Sequence, residues 1–335
     1  MHIGRATGGV RARRFAAALL AGVALAAGPV AVRAAELVLA TARTSLSLPI
    51  RVAESQGFFA AEGVTVRTAE CISGQRCLRQ IFEGVAELAT SSDLPVMFNS
   101  FTRDDYAVVA TFVTAANDLK LVARRSAGIS AAAQLSGKRV GIVKGTSTHY
   151  FLDAFLLFNN VDPQGVKIVD LAPEQMATAL EKREVDALVA WEPNGWLAVR
   201  AVGADAIVLP SPRIYTESFN LVASRRVLAE RADDVVRVLR ALARAQRFIA
   251  ERPRDAQAEL KQRLGLDQAF VDWVWKDLDY RLGLDQSLIT TLEAEARWAL
   301  REGHVPAGQR VPNYLRFVDP GPLRKALPDN ATILR

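Results

Sequence analysis

Histidine and cysteine are scarce in this sequence of 335 residues, which contains three histidines and two cysteines. The histidines stand far apart at His2, His149 and His304, and no second Cys or His pair accompanies Cys71 and Cys77. A zinc site needs three or four such ligands, usually at short and regular spacing. The sequence therefore predicts no metal site, and nothing in it indicates a cofactor.

Short catalytic motifs are also missing. The sequence has neither the Gly-x-Ser-x-Gly elbow of α/β-hydrolases nor the His-Glu-x-x-His pair of metalloproteases. His149 stands at a predicted helix start without an acidic partner placed beside it, and we interpret it as a packing or cleft-lining residue. These absences disfavour a hydrolase.

Acidic residues are absent from the first 34 positions. This segment begins with a basic stretch, continues with the apolar run 15–30 and ends in the small-x-small sequence Val32-Arg33-Ala34. That order is typical of an export signal, so we predict that residues 1–34 are a signal peptide cleaved after about Ala34. The apolar run is shorter than the ~20 residues that a membrane helix needs, and no cysteine follows it for lipid attachment. We therefore expect the mature protein in the periplasm.

Excess positive charge is largely confined to the signal segment. Five of the 42 Lys and Arg residues lie within residues 1–34, which leaves 37 basic and 36 acidic residues in the mature chain. A nucleic-acid-binding protein usually carries a basic face, and a net charge of +1 gives no reason to expect one. The sequence therefore disfavours nucleic acid and anionic membranes as partners.

The two cysteines allow two interpretations in an oxidising compartment. Cys71 and Cys77 are six residues apart, which is too far along one straight helix for a disulfide. If Cys71 ends a strand and Cys77 lies in the first turn of a helix capped at Ser73, their Cα atoms come within bridging range. The sequence leaves a disulfide and two buried free thiols equally open.

Strand and helix patterns alternate through the mature chain. The first group of predicted strands comprises 36–41, 64–69, 87–90 and 106–113, and helical patterns separate them. After a strand at 119–123 the alternation restarts, with predicted strands at 140–143, 166–171, 185–190 and 206–209. Repeated βα units predict doubly wound α/β lobes with mainly parallel sheets.

The fold class expected from this order is a two-lobed α/β protein with a helical C-terminal extension. We predict that lobe 1 is discontinuous and consists of residues 35–117 and 218–335, whereas lobe 2 consists of residues 118–217. The chain would cross between the lobes near residues 118 and 215. From residue 227 onward the amphipathic pattern is helical, and its tryptophans are expected to pack against lobe 1: Trp273, Trp275 and Trp298.

The stretch from Lys144 to Leu156 shows the strand–turn–helix pattern most clearly. Gly145 ends an apolar run, and a run of hydroxyl residues can cap a helix whose apolar face carries Phe151, Leu152, Phe155 and Leu156. A helix start directs unpaired backbone N–H groups and the helix dipole toward one place, which suits an anion. Because any βα unit needs a cap, this turn alone does not separate a cap from a binding site.

Small polar turns of this kind follow strands in both predicted lobes. In open α/β sheets, ligands bind outside the carboxyl ends of the strands. If the lobes face one another, the turns line one cleft with hydroxyls and helix N-termini, which favours a small anionic or zwitterionic solute. The candidate ligand-binding residues are Ser45, Leu46, Ser73, Gly74, Ser91, Ser92, Gly145, Thr146, Ser147, Thr148, Trp191 and Glu192.

Structural roles compete with binding roles at these positions. Each serine is also a suitable helix cap. Trp191 is interpreted either as a packing residue or as a lid over an apolar ligand tail. Glu192 either caps the next helix or accepts a ligand amine, and we favour the cap.

An ordered series of short segments extends over nearly the whole mature chain: Ser45–Pro49, Ala53–Phe59, Glu62–Val64, Ser73–Gly74, Lys144–Tyr150, Asp186–Ala187, Trp191–Pro193, Ala296–Ala299 and Val311–Leu315. Together they resemble the nitrate/sulfonate/taurine group of periplasmic solute-binding proteins. Cys71 and Cys77 are not part of that pattern.

The resemblance implies a type II binding-protein fold that captures a small solute between its lobes as a monomer. It also implies delivery of the solute to an inner-membrane ABC permease driven by a cytoplasmic ATPase. The binding positions that carry over from the group are Ser45, Ser73, Gly74, Ser91, Thr146, Ser147 and Trp191.

Several alternatives stay open within this resemblance. The solute can be an alkanesulfonate or taurine, but related proteins bind thiamin-precursor pyrimidines and aromatic acids. The protein can also present its ligand to a sensor instead of an importer. Pyrimidine-precursor synthases share the fold, but they use a cysteine-rich motif that this chain lacks. We therefore expect a binding protein and not an enzyme.

Overall fold

The computed structural model describes residues 1–2, 4, 8–9, 36–211 and 213–334. The predicted signal peptide therefore lies almost entirely outside the described residues. Residues 35–335 belong to one compact unit. Among the helices of the described part, none is long and apolar enough to span a membrane.

The strands in the described part of the chain are, in chain order, β1 (Leu37–Ala42), β2 (Val66–Cys71), β3 (Leu88–Ser92), β4 (Tyr106–Ala115), β5 (Lys120–Arg124), β6 (Arg139–Ile142), β7 (Lys167–Asp170), β8 (Ala187–Ala190), β9 (Ala206–Leu209), β10 (Glu217–Ser224) and β11 (Leu278–Asp279).

The α-helices in the same ranges are α1 (Leu48–Ser55), α2 (Phe58–Ala61), α3 (Gly74–Phe82), α4 (Asp93–Asn99), α5 (Ser147–Phe158), α6 (Met176–Glu181), α7 (Asn194–Val202), α8 (Arg225–Glu230), α9 (Ala232–Glu251), α10 (Pro253–Leu264), α11 (Gln268–Val274), α12 (Gln286–Arg301) and α13 (Gly321–Ala326).

Two separate sheets organise these elements, as the two-lobed prediction requires. The first has the strand order β11-β4-β10-β3-β1-β2, and the second has the order β7-β6-β8-β5-β9. Each sheet has its own buried apolar cluster, and the tail helices α9 to α12 contribute to the cluster of the first sheet. The two-lobed α/β fold is therefore confirmed.

Most strands of each sheet run in one direction, as predicted, and each sheet also contains at least one reversed strand. Parallel pairing joins β1 to β2 and β3, and joins β6 to β7 and β8. The strands next to the crossings run the other way: β10 is antiparallel to β3 and β4, and β5 is antiparallel to β8 and β9. A chain that leaves one sheet and returns from the other adds strands in the opposite direction, which the βα alternation does not reveal.

Local differences from the predicted elements have simple causes. The helical pattern between the first two predicted strands, residues 48–61, is divided into α1 and α2, because Gly57 adopts a left-handed conformation with φ of 67°. Ser91 and Ser92, predicted to form a turn, are the last residues of β3 and pair with β10. The α4 helix starts directly after them at Asp93.

The C-terminal tail contacts both lobes and not lobe 1 alone. Trp298 of α12 donates a 2.9 Å hydrogen bond from Nε1 to Asp153 of α5, and its ring lies 5.1 Å from that of His149. The His149 ring also lies 4.3 Å from that of His304. Burial and the neighbouring His304 lower the pKa of His149 to about 4. His149 is therefore a neutral packing residue between the lobes.

Candidate functional site

A small cavity lies between the two sheets where several strands end. Its free volume is about 30 Å³, and its lining comes from the elements around both sheets: Thr44, Leu46, Ser73, Gly74, Gln75, Ser92, Pro95, Thr146, Ser147, Trp191, Glu217 and Phe219. We call it the cleft cavity. Sites for small molecules usually measure about 300–1,000 Å³, so a solute would need the two walls to move apart.

The start of α3 forms one wall of the cleft cavity. Ser73 is the N-cap of α3, and its hydroxyl accepts a 3.3 Å hydrogen bond from the backbone N–H of Arg76. A Cβ at position 74 would lie 3.0 Å from Cα of Ser91, so only glycine lets α3 approach β3 this closely. Ser73 is therefore both a cap and a cavity residue.

A disulfide joins the strand and the helix that flank this turn. Cys71 ends β2, Cys77 lies in α3, and their Cα atoms are 5.5 Å apart. Of the two interpretations that the sequence left open, the disulfide is confirmed. It ties the start of α3 to the end of β2, and so restricts the loop that presents Ser73 and Gly74.

The turn between β6 and α5 forms the opposite wall. Gly145 has a φ of 74°, which glycine adopts without strain. The Thr146 hydroxyl donates to the carbonyl of Val143 at 2.7 Å, and the Thr148 hydroxyl accepts from the Val143 N–H at 3.0 Å. These bonds fix the turn and leave Ser147, the first residue of α5, facing the cavity.

Glu217, the first residue of β10, brings a buried carboxyl group to the cavity. Only 4% of the residue is exposed. The Ser147 hydroxyl donates to Oε1 of Glu217, while Oε2 has no hydrogen-bond partner. Burial and the nearby carboxyls of Asp118 and Asp93 raise the pKa of Glu217 well above its usual range. These surroundings therefore favour the neutral acid.

The contact between Ser147 and Glu217 also joins the two walls. Ser147 belongs to the helix that follows β6 of the second sheet, whereas Glu217 belongs to the first sheet. The Ser92 hydroxyl lies 3.5 Å from the hydroxyl of Ser147 and reinforces this contact. A ligand in the cavity would therefore touch groups from both lobes.

The cavity lining combines hydroxyl groups with apolar surface, and among the described residues it contains no basic side chain. An anionic group would have to be held by hydroxyls and by the free N–H groups at the starts of α3 and α5. The first turn of a helix has such unpaired donors, and its dipole adds a partial positive charge. Trp191 and Phe219 provide the apolar surface.

Glu192 holds the lobes together next to the cavity and does not line it. Its Oε2 accepts a 2.9 Å hydrogen bond from the N–H of Trp196, which is the favoured capping role, at the start of α7. Its Oε1 accepts a 2.6 Å hydrogen bond from Nε1 of Trp273 in the tail. Burial raises the pKa of Glu192 to about 7, and the neighbouring Asp118 adds to this effect.

Seven of the twelve candidate residues line the cleft cavity: Leu46, Ser73, Gly74, Ser92, Thr146, Ser147 and Trp191. The other five lie beside it in positions that support the turns: Ser45, Ser91, Gly145, Thr148 and Glu192. Ser91, for example, points its hydroxyl to the carbonyl of Ser92 at 3.1 Å. A ligand-binding role for any of these residues remains a prediction.

Five lining residues are not among the twelve candidates. Thr44 and Gln75 belong to the predicted turns themselves, and Pro95 lies in the first turn of the helix that follows Ser92. Glu217 and Phe219 gave no such signal, because they lie at the beginning of the antiparallel strand β10. The rule that ligands bind at the carboxyl ends of parallel strands does not reach them.

Similar proteins are found both by sequence and by structure. The chain is 27% identical over 243 residues to a putative aliphatic sulfonates-binding protein of Bacillus subtilis. The alignment covers 69% of this chain and 71% of that protein. It is 28% identical over 162 residues to the taurine-binding periplasmic protein of Escherichia coli, which covers 48% of this chain. The alignment spans about half the length of that relative, at 49%.

Solved structures with the same fold include binding proteins and an enzyme. The periplasmic aliphatic sulphonate binding protein SsuA of Escherichia coli has a TM-score of 0.72 at 16% identity, and the match covers 85% of this chain and 92% of that one. The desulfurization enzyme DszB has a TM-score of 0.62 at 15% identity, with 88% of this chain and 99% of that one covered. These similarities show the fold.

The family is shown by a match along the sequence itself. The model of the family described as NMT1/THI5 like matches residues 45–256. This range includes the turns on both walls of the cleft cavity and extends over more than half of the sequence. The chain therefore belongs to the NMT1/THI5-like family.

Proposed function

We propose that this protein is the solute-binding component of an ABC importer and that it binds a small sulfonate in the cleft cavity. The observation that carries the proposal is the lining of the cavity by hydroxyls and helix starts from both sheets. Relatives named as sulfonate-binding and taurine-binding proteins support the choice of solute. The protein would act in the periplasm after removal of residues 1–34.

The lobes of this proposal are residues 35–117 with 218–335, and residues 118–217. A solute that contacts both lobes binds the closed arrangement better and shifts the population toward it. The Ser147–Glu217 contact lies at the place where closure would be completed. An inner-membrane permease would then recognise the closed monomer and receive the solute.

Glu217 favours a solute that carries an ammonium group beside its sulfonate. Its Oε2 is buried without a partner, and the lining includes no cation within the described ranges. An ammonium group at this position would pair with the ionised carboxyl and lower its pKa. The sulfonate would lie at the starts of α3 and α5. Taurine has this charge arrangement, so we propose a taurine-like zwitterion over a plain alkanesulfonate.

Calorimetric titration of residues 35–335 with taurine and with ethanesulfonate tests this choice. In the Glu217→Gln variant the taurine affinity should fall by roughly ten- to hundredfold, because a charge-assisted hydrogen bond contributes about 1.5–3 kcal/mol. The ethanesulfonate affinity should change little, since that ligand has no amine. Equal losses for both ligands, or no loss for taurine, would contradict the assignment of Glu217.

We propose binding without chemical conversion of the solute. The fold is shared with the enzyme DszB, so the fold does not decide this point. The two cysteines of the sequence are joined in one disulfide, which supports a non-catalytic role for them. Taurine recovered unchanged after long incubation with the protein would agree with the proposal, and any product in the NMR spectrum of the solution would contradict it.

A further inference from the structure

A larger cavity lies where the chain passes between the two sheets, away from the cleft cavity. Its free volume is about 560 Å³, and it is formed by both crossing segments together with the end of α11. We call it the hinge cavity. Its lining includes Asn117 and Lys120 from the first crossing, residues 208–211 and Arg213 from the second, and Trp273, Lys276 and Asp277 from the tail.

Positive charge exceeds negative charge in the hinge cavity. Lys120 is buried, donates to the carbonyl of Asn117, and lies 3.5 Å from Oδ2 of Asp277. Arg213 and Lys276 are exposed side chains, and neither forms an ion pair with any carboxylate of the described ranges. The single lining carboxylate, Asp277, is already shared by Lys120 and by the Asn117 amide at 2.7 Å. Two cations therefore remain available to an anion.

The remaining walls are apolar and include an aromatic ring. Trp273 is partly buried, and the Lys120 ammonium lies 5.5 Å from the centre of its ring. Leu209 and Pro210 face the cavity from the second crossing. Flat apolar groups pack favourably against an indole ring, and a guanidinium binds sulfonate or carboxylate oxygens through parallel donors.

We propose that the hinge cavity is a second binding site, for a small organic anion with a flat apolar body. The anionic group would lie between Arg213 and Lys276, and the apolar body would lie against Trp273. The site differs in chemistry from the cleft cavity, which is lined by hydroxyls and a buried acid and has no basic side chain in the described ranges.

The position of the hinge cavity connects it to the cleft cavity through direct contacts. Trp273 donates to Glu192 at 2.6 Å, and the N–H of Glu192 donates to Asp118 next to the first crossing at 3.3 Å. Trp191, the residue before Glu192, lines the cleft cavity. An anion that touches both crossings binds best to one arrangement of the lobes and so favours it. This coupling rests on the proposed function, whereas the site itself does not.

NMR of the indole N–H groups in ¹⁵N-labelled protein, residues 35–335, tests the site directly. The sequence has five tryptophans, and the signals of Trp273 and Trp191 are assigned from the Trp→Phe variants. Benzenesulfonate is the probe. The Trp273 signal should shift in a saturable way, and the double variant R213Q/K276Q should weaken the affinity measured from it by at least about tenfold. The matched control is R310Q, which removes an exposed arginine outside the cavity and should change the affinity less than twofold.

Two results would overturn the proposal. The first is a Trp273 signal that does not shift in a saturable way in the wild-type protein. The second is a Trp273 shift with the same affinity in R213Q/K276Q and in wild type, which would place the probe elsewhere. A shift confined to Trp191 would mean that the anion binds in the cleft cavity alone, so the hinge site would fail while the proposed function survived. Unchanged dispersion of the other indole signals verifies that the variants are folded.

Discussion

Glu217 is the residue that most restricts the choice of solute. A carboxyl group buried in a cavity destabilises its own ionised form unless a cation or donors surround it. Here one oxygen accepts from Ser147 and the other has no partner. Glu217 would therefore disfavour a ligand that carries only negative charge. It would favour a zwitterion, because the ammonium group would pair with Oε2 of Glu217.

Phe155 tests how the α5 helix is anchored behind the cleft. Its side chain is 1% exposed and lies 6.0 Å from the ring of Phe151. We predict that Phe155→Ala lowers the free energy of unfolding by about 3–5 kcal/mol, the usual range for such core truncations. The measurement is equilibrium unfolding in urea.

Phe158 provides the matched control on the same helix. It is 59% exposed, so Phe158→Ala should change the free energy of unfolding by less than about 0.5 kcal/mol. Similar losses for both variants would mean that α5 does not pack as described.

Single residues of the site were predictable where local pattern decides their position. Ser73, Thr146 and Ser147 follow from the capping preference of hydroxyl residues after apolar runs. Glu217 was not predictable in this way, because its role depends on a strand that returns from the other lobe and pairs in the antiparallel sense. Nothing in the residues around Glu217 marks it as buried.

At the scale of elements, the start of α3 depends on two constraints. Gly74 allows close approach to β3, and the disulfide between Cys71 and Cys77 holds α3 against β2. Both act on the same short loop, which presents Ser73 and Gly74 to the cleft cavity. The loop is therefore held in one conformation, which would reduce the entropy lost if Ser73 and Gly74 bind a ligand as proposed.

Removal of the disulfide should weaken both folding and binding. We predict that the C71S/C77S variant loses about 2 kcal/mol of unfolding free energy, as the loop-entropy relation gives for a short loop. Its affinity for taurine should fall as well, because the start of α3 becomes less ordered. Urea unfolding and calorimetric titration measure the two effects. Unchanged taurine affinity would show that the disulfide stabilises the fold without organising the site.

Element types were predicted well from periodicity, but the reversed direction of strands β5 and β10 was not. The βα alternation identified β1 to β9 and placed α5 after the turn that precedes it, whereas β11 was not predicted. The division of the helix at Gly57 depends on one backbone angle. The extension of β3 through Ser92 depends on pairing with β10. Such features come from tertiary structure, which overrides local propensity.

At the scale of the whole molecule, buried acids collect where the two lobes meet. Asp93, Asp118, Glu192, Glu217 and Glu295 are all nearly or fully buried. Burial raises the pKa of each of them, and for Asp118 and Glu192 the value is about 7. Lys120, close to Asp118, offsets only part of this effect. The folded protein therefore binds protons that the unfolded chain does not.

This proton uptake predicts how stability depends on pH. When folding raises the pKa of a carboxyl, the group is neutral in both the folded and the unfolded state at a pH below its unfolded pKa. It lowers the free energy of unfolding only as the pH rises from the unfolded pKa toward the folded pKa. The lowered pKa of His149 acts in the opposite sense below about pH 6.5. The buried carboxyls outnumber it, so the free energy of unfolding should fall between about pH 4.5 and pH 7. One such carboxyl lowers the free energy of unfolding by at most about 1.4 kcal/mol per pH unit.

The Asp118→Asn variant is the control for the pH prediction, because it removes one titrating group. Its unfolding free energy, measured in urea across the same range, should depend less steeply on pH. A wild-type stability that rises between pH 5 and pH 7 would contradict the prediction.

The two-lobed architecture was predictable from the sequence, but the contacts between the lobes were not. The tail helices were expected on lobe 1 from their apolar faces, and α12 also donates to Asp153 of lobe 2 through Trp298. This hydrogen bond joins residues 145 positions apart, and the sequence pattern of a single helix does not predict such a contact.

Thermal unfolding of residues 35–335 with and without taurine tests the central claim most directly. At 100 times the dissociation constant, a ligand that binds only the folded protein adds about 2.7 kcal/mol and should raise the melting temperature by a few degrees. The Ser147→Ala variant should melt somewhat below the wild-type temperature without taurine, because it removes the donor to buried Glu217. It should also need far more taurine for the same rise in melting temperature. If neither taurine nor simple alkanesulfonates raised the melting temperature, or if Ser147→Ala responded to taurine like wild type, sulfonate binding in the cleft cavity would be contradicted.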